Sequence, residues 1–353
     1  MAVCGRKGAT RRTLATTSVS VSGDRLPEPS PHPQTPTAGA YNPGMPLDLG
    51  WIRGIRVNRS ATERRAATII TRRTVKKEWQ AAWLLRAVAD LDLTTLAGDD
   101  TPSNVARLCA KAKSPILPDM LERLGLPQLH VGAVCVYHNL VPVAVDALRG
   151  SGIPVAAVST GFPAGQIPLD RKLDEIRASV EAGADEIDIV ISRAYVLEAR
   201  WRDLYREVSA FREACEPALM KAIVASGDLA TLRNVAQAST VCMMAGADFV
   251  KTSTGKETTN ATLPVGLTMV RAIRDYYHRT GFEFRVGFKP AGGIRTAKQA
   301  LQWLILMREE LGVDWMMPTL FRIGASSLLT DIERQLGYFL TGRYAAEHHF
   351  PLP

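Results

Sequence analysis

Short apolar runs rich in β-branched residues alternate with amphipathic stretches along most of this chain. The runs fall at about 88–94, 131–137, 154–160, 186–191, 218–225, 248–254, 285–290 and 321–326, and stretches with helical spacing, such as 168–182 and 264–279, lie between them. Eight strands separated by helices predict parallel βαβ units, because a parallel neighbour is reached only through a crossover. From Asp92 to Ser326 the spacing is roughly 33 residues per unit, and a body of about 250 residues has the size of a (β/α)8 barrel. A doubly wound open sheet would show the same alternation. The first βα turn lacks GxGxxG spacing, however, so the expected α/β architecture is a (β/α)8 TIM barrel.

The flanks follow other patterns. Residues 1–46 hold seven of the 21 prolines among Ser, Thr, Gly and Ala. So few large apolar side chains cannot offset the entropy of ordering, and this segment is expected to be a disordered arm. Its first 23 residues carry Arg6, Lys7, Arg11 and Arg12, a composition similar to a transit peptide; an arm without an address is the preferred reading. From 60 to 89 the chain reads as helix, free of Gly and Pro. The expected division is an arm (1–46), a helical extension (47–89), the barrel (90–340) and a tail (341–353).

Charge sharpens this division. The formal net charge is +8, but residues 1–80 hold 14 Lys and Arg against 5 Asp and Glu, whereas 81–353 hold 29 against 30. A neutral body is not the profile of a nucleic-acid-binding domain, so nucleic acid is not the expected partner. No apolar run approaches 18 residues, which argues against a membrane span. Five cysteines form no CxxC pair, and six histidines show no HxH or HExxH spacing. Neither a disulfide framework nor a metal site is expected, and a reducing, cytoplasmic setting is.

Strands buried on both faces should be almost wholly apolar. Here Asp92, Cys135, Asp188, Lys221, Lys251, Lys289 and Ser326 stand late in their runs. A barrel gathers its active site at the C-terminal ends of its strands, so these positions converge on one site. Three lysines on consecutive strands, with Asp188 on the strand before, exceed what a buried ion pair would need. A lysine is a nucleophile only when neutral, and burial beside a second cation favours that form. Lys251 and Lys289 share side-chain parity with the small residues Ser253 and Gly287, which are expected to leave room for substrate; Asp188 could move protons through water.

Three glycine-containing stretches accompany the lysines: Thr254-Gly255-Lys256, Gly292-Gly293-Ile294-Arg295 and Gly324-Ala325-Ser326-Ser327. The last two follow strands seven and eight, where barrels often bind phosphate through main-chain N–H groups at a helix start. The first is not a Walker A loop, since Val250 stands at its first glycine position and Glu257 follows the lysine. Lysine chemistry beside a phosphate cradle points to a class I aldolase acting on a phosphorylated sugar.

At this point the residues resemble a known family. DLTTLAGDDT (92–101), GFPAGQ (161–166), DEIDIVISR (185–193), KTSTGK (251–256), GFKPAGG (287–293) and FRIGASSLL (321–329) are similar to the deoxyribose-phosphate aldolases of the longer, animal type, and the likeness runs from about residue 45 to the C-terminus. KTSTGK together with GFKPAGG is the most specific pair. The resemblance implies reversible cleavage of 2-deoxy-D-ribose 5-phosphate to D-glyceraldehyde 3-phosphate and acetaldehyde, without cofactor or metal. It implies Lys251 as the Schiff-base lysine, Lys289 as the cation that depresses its pKa and Asp188 as the acid–base carboxylate, with Asp92 and Lys221 in support. Gly255, Lys256, Gly292, Gly293, Ser326 and Ser327 match the phosphate-binding set; Cys135 and Phe162 match the pocket wall. Some members use a C-terminal tyrosine, for which Tyr344 is the nearest candidate. The expected partner is a small phosphorylated sugar, with a homo-oligomer allowed. The alternatives are another Schiff-base phosphosugar barrel, transaldolase-like or an isomerase, and an accessory RNA-binding role for the basic arm.

Overall fold

The computed structural model describes residues 41–346; most of the expected arm, and residues 347–353, lie outside the described residues. All eight expected strands are present: β1 (Leu91–Thr94), β2 (Ala133–Tyr137), β3 (Val155–Ser159), β4 (Glu186–Val190), β5 (Leu219–Ile223), β6 (Phe249–Lys251), β7 (Gly287–Lys289) and β8 (Ile323–Ala325). They pair in parallel in the order β7-β6-β5-β4-β3-β2-β1-β8. The edges meet where Phe288 N–H donates to Leu320 O (2.9 Å) and Arg322 N–H to Phe288 O (3.1 Å), which closes the sheet into a barrel. Helices cover its outside, as parallel strands with two buried faces require. Among the described residues, no helix is long and apolar enough to cross a membrane.

The last three strands are only three residues long, shorter than their apolar runs. Beyond Lys251 and Lys289 the chain leaves the ladder for loops joined by side chains: Thr252 Oγ1 accepts the Ala291 N–H (3.0 Å), and Ser253 Oγ donates to Ala291 O (3.0 Å). The two lysines therefore end their strands, at the mouth of the barrel.

The extension is divided into three helices. It comprises α1 (Leu49–Gly54), α2 (Arg59–Ile69) and α3 (Lys77–Ala89). The chain breaks between α2 and α3 at 70–76, where Ile70, Thr71, Thr74 and Val75 are β-branched and lose rotamer freedom in a helix. α2 is fastened by Arg65, whose guanidinium lies 2.9 Å from Glu310 Oε1 on the helix Ala297–Glu310. α3 packs on that helix and on Leu328–Thr341, and it leads directly into β1.

The expected boundary of the arm at residue 46 is also too late. Asn42 is buried; its side chain donates to Met243 O (2.7 Å) and Ala247 O (2.9 Å) and accepts from the Tyr276 hydroxyl (3.0 Å). Asn42 N–H donates to Asp248 Oδ1 (2.8 Å). Gly44 follows with φ +74°, where a Cβ would stand 2.5 Å from Met244 O. Residues 41–46 are thus pinned to the barrel by polar groups that carry no hydrophobic signal. Asn42→Ala should cost about 1–3 kcal/mol by leaving buried polar groups short of partners, read as a lower urea midpoint with unchanged slope. An unmoved midpoint would count against this anchor.

Candidate active site

Alternation along each strand decides what enters the barrel. On β4, Glu186 and Asp188 share the inward face; on β5 Lys221 stands opposite Asp188, and on β6 and β7 Lys251 stands opposite Lys289. Lower in the barrel the Phe249 ring fills the centre, with the Lys221 ammonium 5.9 Å from its centroid. Gly287 exists for that ring, since a Cβ there would meet it at 2.4 Å. The space expected at Gly287 for substrate is therefore occupied by Phe249. Gly324 has a comparable role higher up, where a Cβ would lie 3.3 Å from Lys289 Cε and 2.9 Å from Ala291 Cβ.

The polar side chains form one buried network. Asp188 Oδ2 accepts from Lys251 Nζ (2.6 Å) and Lys289 Nζ (2.8 Å), and Asp188 Oδ1 lies 3.3 Å from Lys221 Nζ. Lys289 also reaches Asp92 Oδ2 at 2.5 Å. Lys221 donates to Glu186 Oε2. Arg322, just ahead of β8, bridges Asp92 Oδ1 (2.5 Å) and Glu186 Oε1 (2.9 Å). The side chains of Asp92, Asp188, Lys221 and Lys289 are wholly inaccessible, and that of Lys251 is 3% exposed. Burying so many ions costs several kcal/mol each, and a well-packed apolar core would be as stable. Stability alone does not account for such a cluster.

Burial opposes charge at each of these groups, and the neighbours decide the outcome. Burial pushes the Lys251 amine below its ordinary value; Asp188 pulls it back, and Lys289 pushes it down again. At Lys289 burial is outweighed by Asp188 and Asp92, which hold the amine above its ordinary value. At Asp188 the three lysines outweigh burial and keep the carboxyl well below the usual range. The two lysines thus differ in kind: one is driven toward the neutral form and the other is held as a cation.

Apart from Tyr344, which follows the C-terminal end of the helix Leu328–Thr341, the remaining expected residues lie around the mouth. Cys135 packs with Ala156 and Val158 in a small apolar cluster bordered by Leu96, Tyr137 and Phe162. The Tyr137 and Phe162 rings meet edge-on at 5.8 Å, and burial pushes the Cys135 thiol up, away from the reactive thiolate form. Ala291 bridges to Gly324, and a Cβ on Gly255 would stand 3.8 Å from Gly292 Cα, so the three glycine loops adjoin. Gly292 and Gly293 have φ of +86° and +82°. Their N–H groups have no partner among the described residues, and Ser326 and Ser327 are exposed at the start of the helix Leu328–Thr341. Gly255 differs from expectation: its N–H and that of Thr254 already donate to the Glu257 carboxylate (3.1 and 3.0 Å). Lys256 is exposed beside it. Tyr344 stacks on Tyr338 at 4.4 Å between centroids and is 58% exposed.

Sequence reading missed Arg322 and Glu186. Both carried a signal in their parity, since Glu186 is two residues from Asp188 and Arg322 two from Gly324. A cavity of about 190 Å³ between the extension and the barrel's outer helices, walled by Trp51, Thr62, Arg271 and Asp275, shares no residue with the lysine network.

Comparison with known proteins identifies the family. The model of the DeoC/LacD family aldolases matches residues 86–329, which span β1 to β8. The chain belongs to that family. The deoxyribose-phosphate aldolase of Mus musculus is 59% identical over 317 residues, covering 89% of this chain and 99% of its own length. That of Homo sapiens is 58% identical over the same extent. Among solved structures, the deoxyribose phosphate aldolase of Aeropyrum pernix aligns with a TM-score of 0.55 at 23% identity, over 79% of this chain and 99% of that one, a likeness of fold. The family model's match begins within α3, whereas the matches to the two mammalian relatives take in 317 residues.

Proposed function

We propose that this protein is a class I aldolase that reversibly cleaves 2-deoxy-D-ribose 5-phosphate to D-glyceraldehyde 3-phosphate and acetaldehyde. The observation that carries the reading is Lys251, a buried amine driven toward neutrality at the mouth of the barrel, sharing one carboxylate oxygen with the cation Lys289. Family membership and relatives near 59% identity support the same reaction.

In this reading Lys251 adds to the C1 aldehyde of the open-chain sugar and water leaves, giving a protonated imine. The C3 hydroxyl gives up its proton, the C2–C3 bond breaks, and the electron pair passes to the imine as an enamine. Glyceraldehyde 3-phosphate departs; protonation at C2 and hydrolysis release acetaldehyde and free Lys251. Asp188 is a weak base while three lysines hold it. It serves first to orient Lys251 and Lys289, and relays the C3 proton through water once Lys251 is committed to the imine. Asp92 and Lys221 hold that arrangement. Among the described residues, four buried cysteines are unpaired, which fits a reducing, cytoplasmic setting.

The phosphate is assigned to the free N–H groups of Gly292 and Gly293, the Ser326–Ser327 helix start and the Lys256 ammonium, with Gly255 shaping the turn. The test of the reaction is release of acetaldehyde from deoxyribose 5-phosphate by the purified chain; no release would end the reading. Lys256→Ala should raise KM for the phosphorylated sugar about tenfold or more, the worth of one charge-assisted hydrogen bond, and leave plain deoxyribose nearly unaffected. Equal changes for both substrates would place Lys256 away from the phosphate.

A further inference from the structure

We propose that Arg322 is a positioning residue for this chemistry: deep in the barrel, it keeps the buried cluster one cation in excess, so that Lys251 is the group that gives up its proton. The inference rests on the Schiff-base reading above.

Charged groups surround Lys251 on nearly every strand. β1 contributes Asp92, with Asp90 just ahead of it; β2 contributes the Cys135 thiol, and β3 no charged group. β4 contributes Glu186 and Asp188, β5 Lys221 and β7 Lys289, and Arg322 stands just ahead of β8. Asp90 is fully buried and neither of its carboxyl oxygens has a donor among the described residues, which favours its neutral form; burial raises it well above the usual range against the pull of Arg86 and Arg322, and it is counted as neutral. Cys135 is neutral for the same reason. Four cations then face three carboxylates. An uncompensated charge in an enclosed, water-poor space is resolved by loss of a proton from the most weakly held group.

Geometry identifies that group. Arg322 cannot lose a proton in a protein. Lys221 lies within 4 Å of three carboxylates, Glu186, Asp188 and Asp92. Lys289 has two, Asp92 and Asp188. Lys251 has one, Asp188, and shares the same oxygen with Lys289. Arg322 takes up Asp92 Oδ1 and Glu186 Oε1, and it is 6% exposed, with its Cδ 3.2 Å from where a Cβ on Gly132 would stand, near the opposite end of the barrel from the loops. It thereby withdraws negative charge that would otherwise balance the lysines. Its influence runs through Asp92 to Lys289 and through Glu186 to Lys221.

The test is the pH dependence of borohydride trapping on Lys251 and of kcat/KM in Arg322→Met, Glu186→Gln and the double variant. Activity follows the neutral amine, so losing a cation should move the acid limb to higher pH, and losing a carboxylate should move it to lower pH. Arg322→Met is expected to shift the limb up by about one pH unit, a roughly tenfold loss of trapping on its steep part. Glu186→Gln should shift it down. The double variant, which restores the single excess cation, should return it toward wild type. A uniform loss of rate with an unmoved limb, or shifts of the same sign in both single variants, would reduce Arg322 to a structural role and overturn the inference. If Arg322→Met fails to fold, Glu186→Gln alone decides, an unmoved limb counting against it. Labelling of a residue other than Lys251 in the wild-type protein would bring down the underlying reading; labelled Lys251 with unmoved limbs brings down this inference alone.

Discussion

Lys251→Ala is expected to lower turnover by at least about a thousandfold and to abolish borohydride labelling in the presence of deoxyribose 5-phosphate. The size of the effect follows from the lack of a substitute. Lys221 is wholly buried and a layer deeper on β5, ringed by carboxylates, and Lys289 is held as a cation by Asp92 and Asp188. Neither offers a free electron pair at the mouth. The fold should survive, because removing Lys251 leaves three cations facing three carboxylates; the change should shift the melting temperature by only a few degrees. Steady-state assay, thermal melting and mass mapping of the trapped peptide together decide it. Residual turnover with the label moved to Lys221 or Lys289 would transfer the nucleophile to another strand.

The barrel was legible because its strands are buried on both faces and so stand out as short β-branched runs, each closed by a loop. What blurred their ends is the site itself. Thr252 and Ser253 continue the β6 run in composition, yet their hydroxyls turn to Ala291 and carry the chain out of the ladder. The lysines and Asp188 were legible for the opposite reason: a charged residue inside an apolar run has no structural excuse. Arg322 and Glu186 escaped because each stands next to a strand boundary, where a charge passes for the polar edge of a loop. Their parity with Asp188 and Gly324 was the signal in the sequence, and the three-dimensional register shows that they underlie Asp92 and Lys221.

Gly255 and Gly287 show where residue type misleads. A glycine in a loop suggests a bare main chain offered to an anion, but the Gly255 N–H is already taken by Glu257, an internal carboxylate two residues on. A glycine in a strand suggests room, but at Gly287 the room is filled by Phe249 from the next strand. In both cases the partner is set by tertiary or loop geometry that spacing alone does not encode. Asn42 is the polar counterpart: its pins to Met243 and Ala247 span about two hundred residues of chain and have no local pattern.

Lys289→Met should separate protonation from chemistry most clearly. At pH 7 it is expected to lose most activity, on the order of a hundredfold or more, and then to regain part of it as pH rises. The sign follows from the neighbours. Lys289 lies 2.8 Å from the same Asp188 oxygen that Lys251 uses, and Asp188 and Asp92 keep it charged. Without it, Lys251 loses a repelling cation and gains the undivided attraction of Asp188; both changes favour the protonated amine. An ordinary lysine, with a pKa of about 10.4, is neutral in only about one molecule in 2,500 at pH 7, and each pH unit gains roughly tenfold. In the variant, log kcat/KM should therefore climb with near-unit slope through the alkaline range, while the wild-type profile has already levelled. Lys289→Arg should keep the acid limb near its wild-type position, since the charge remains, but at reduced rate, because the larger head must fit against Gly324. The decisive measurement is the full pH profile of both variants, with trapping mapped to Lys251 at each pH. A flat, low profile for Lys289→Met would mean that Lys289 handles a proton or a substrate group directly, and the division of labour between the two lysines would have to be redrawn.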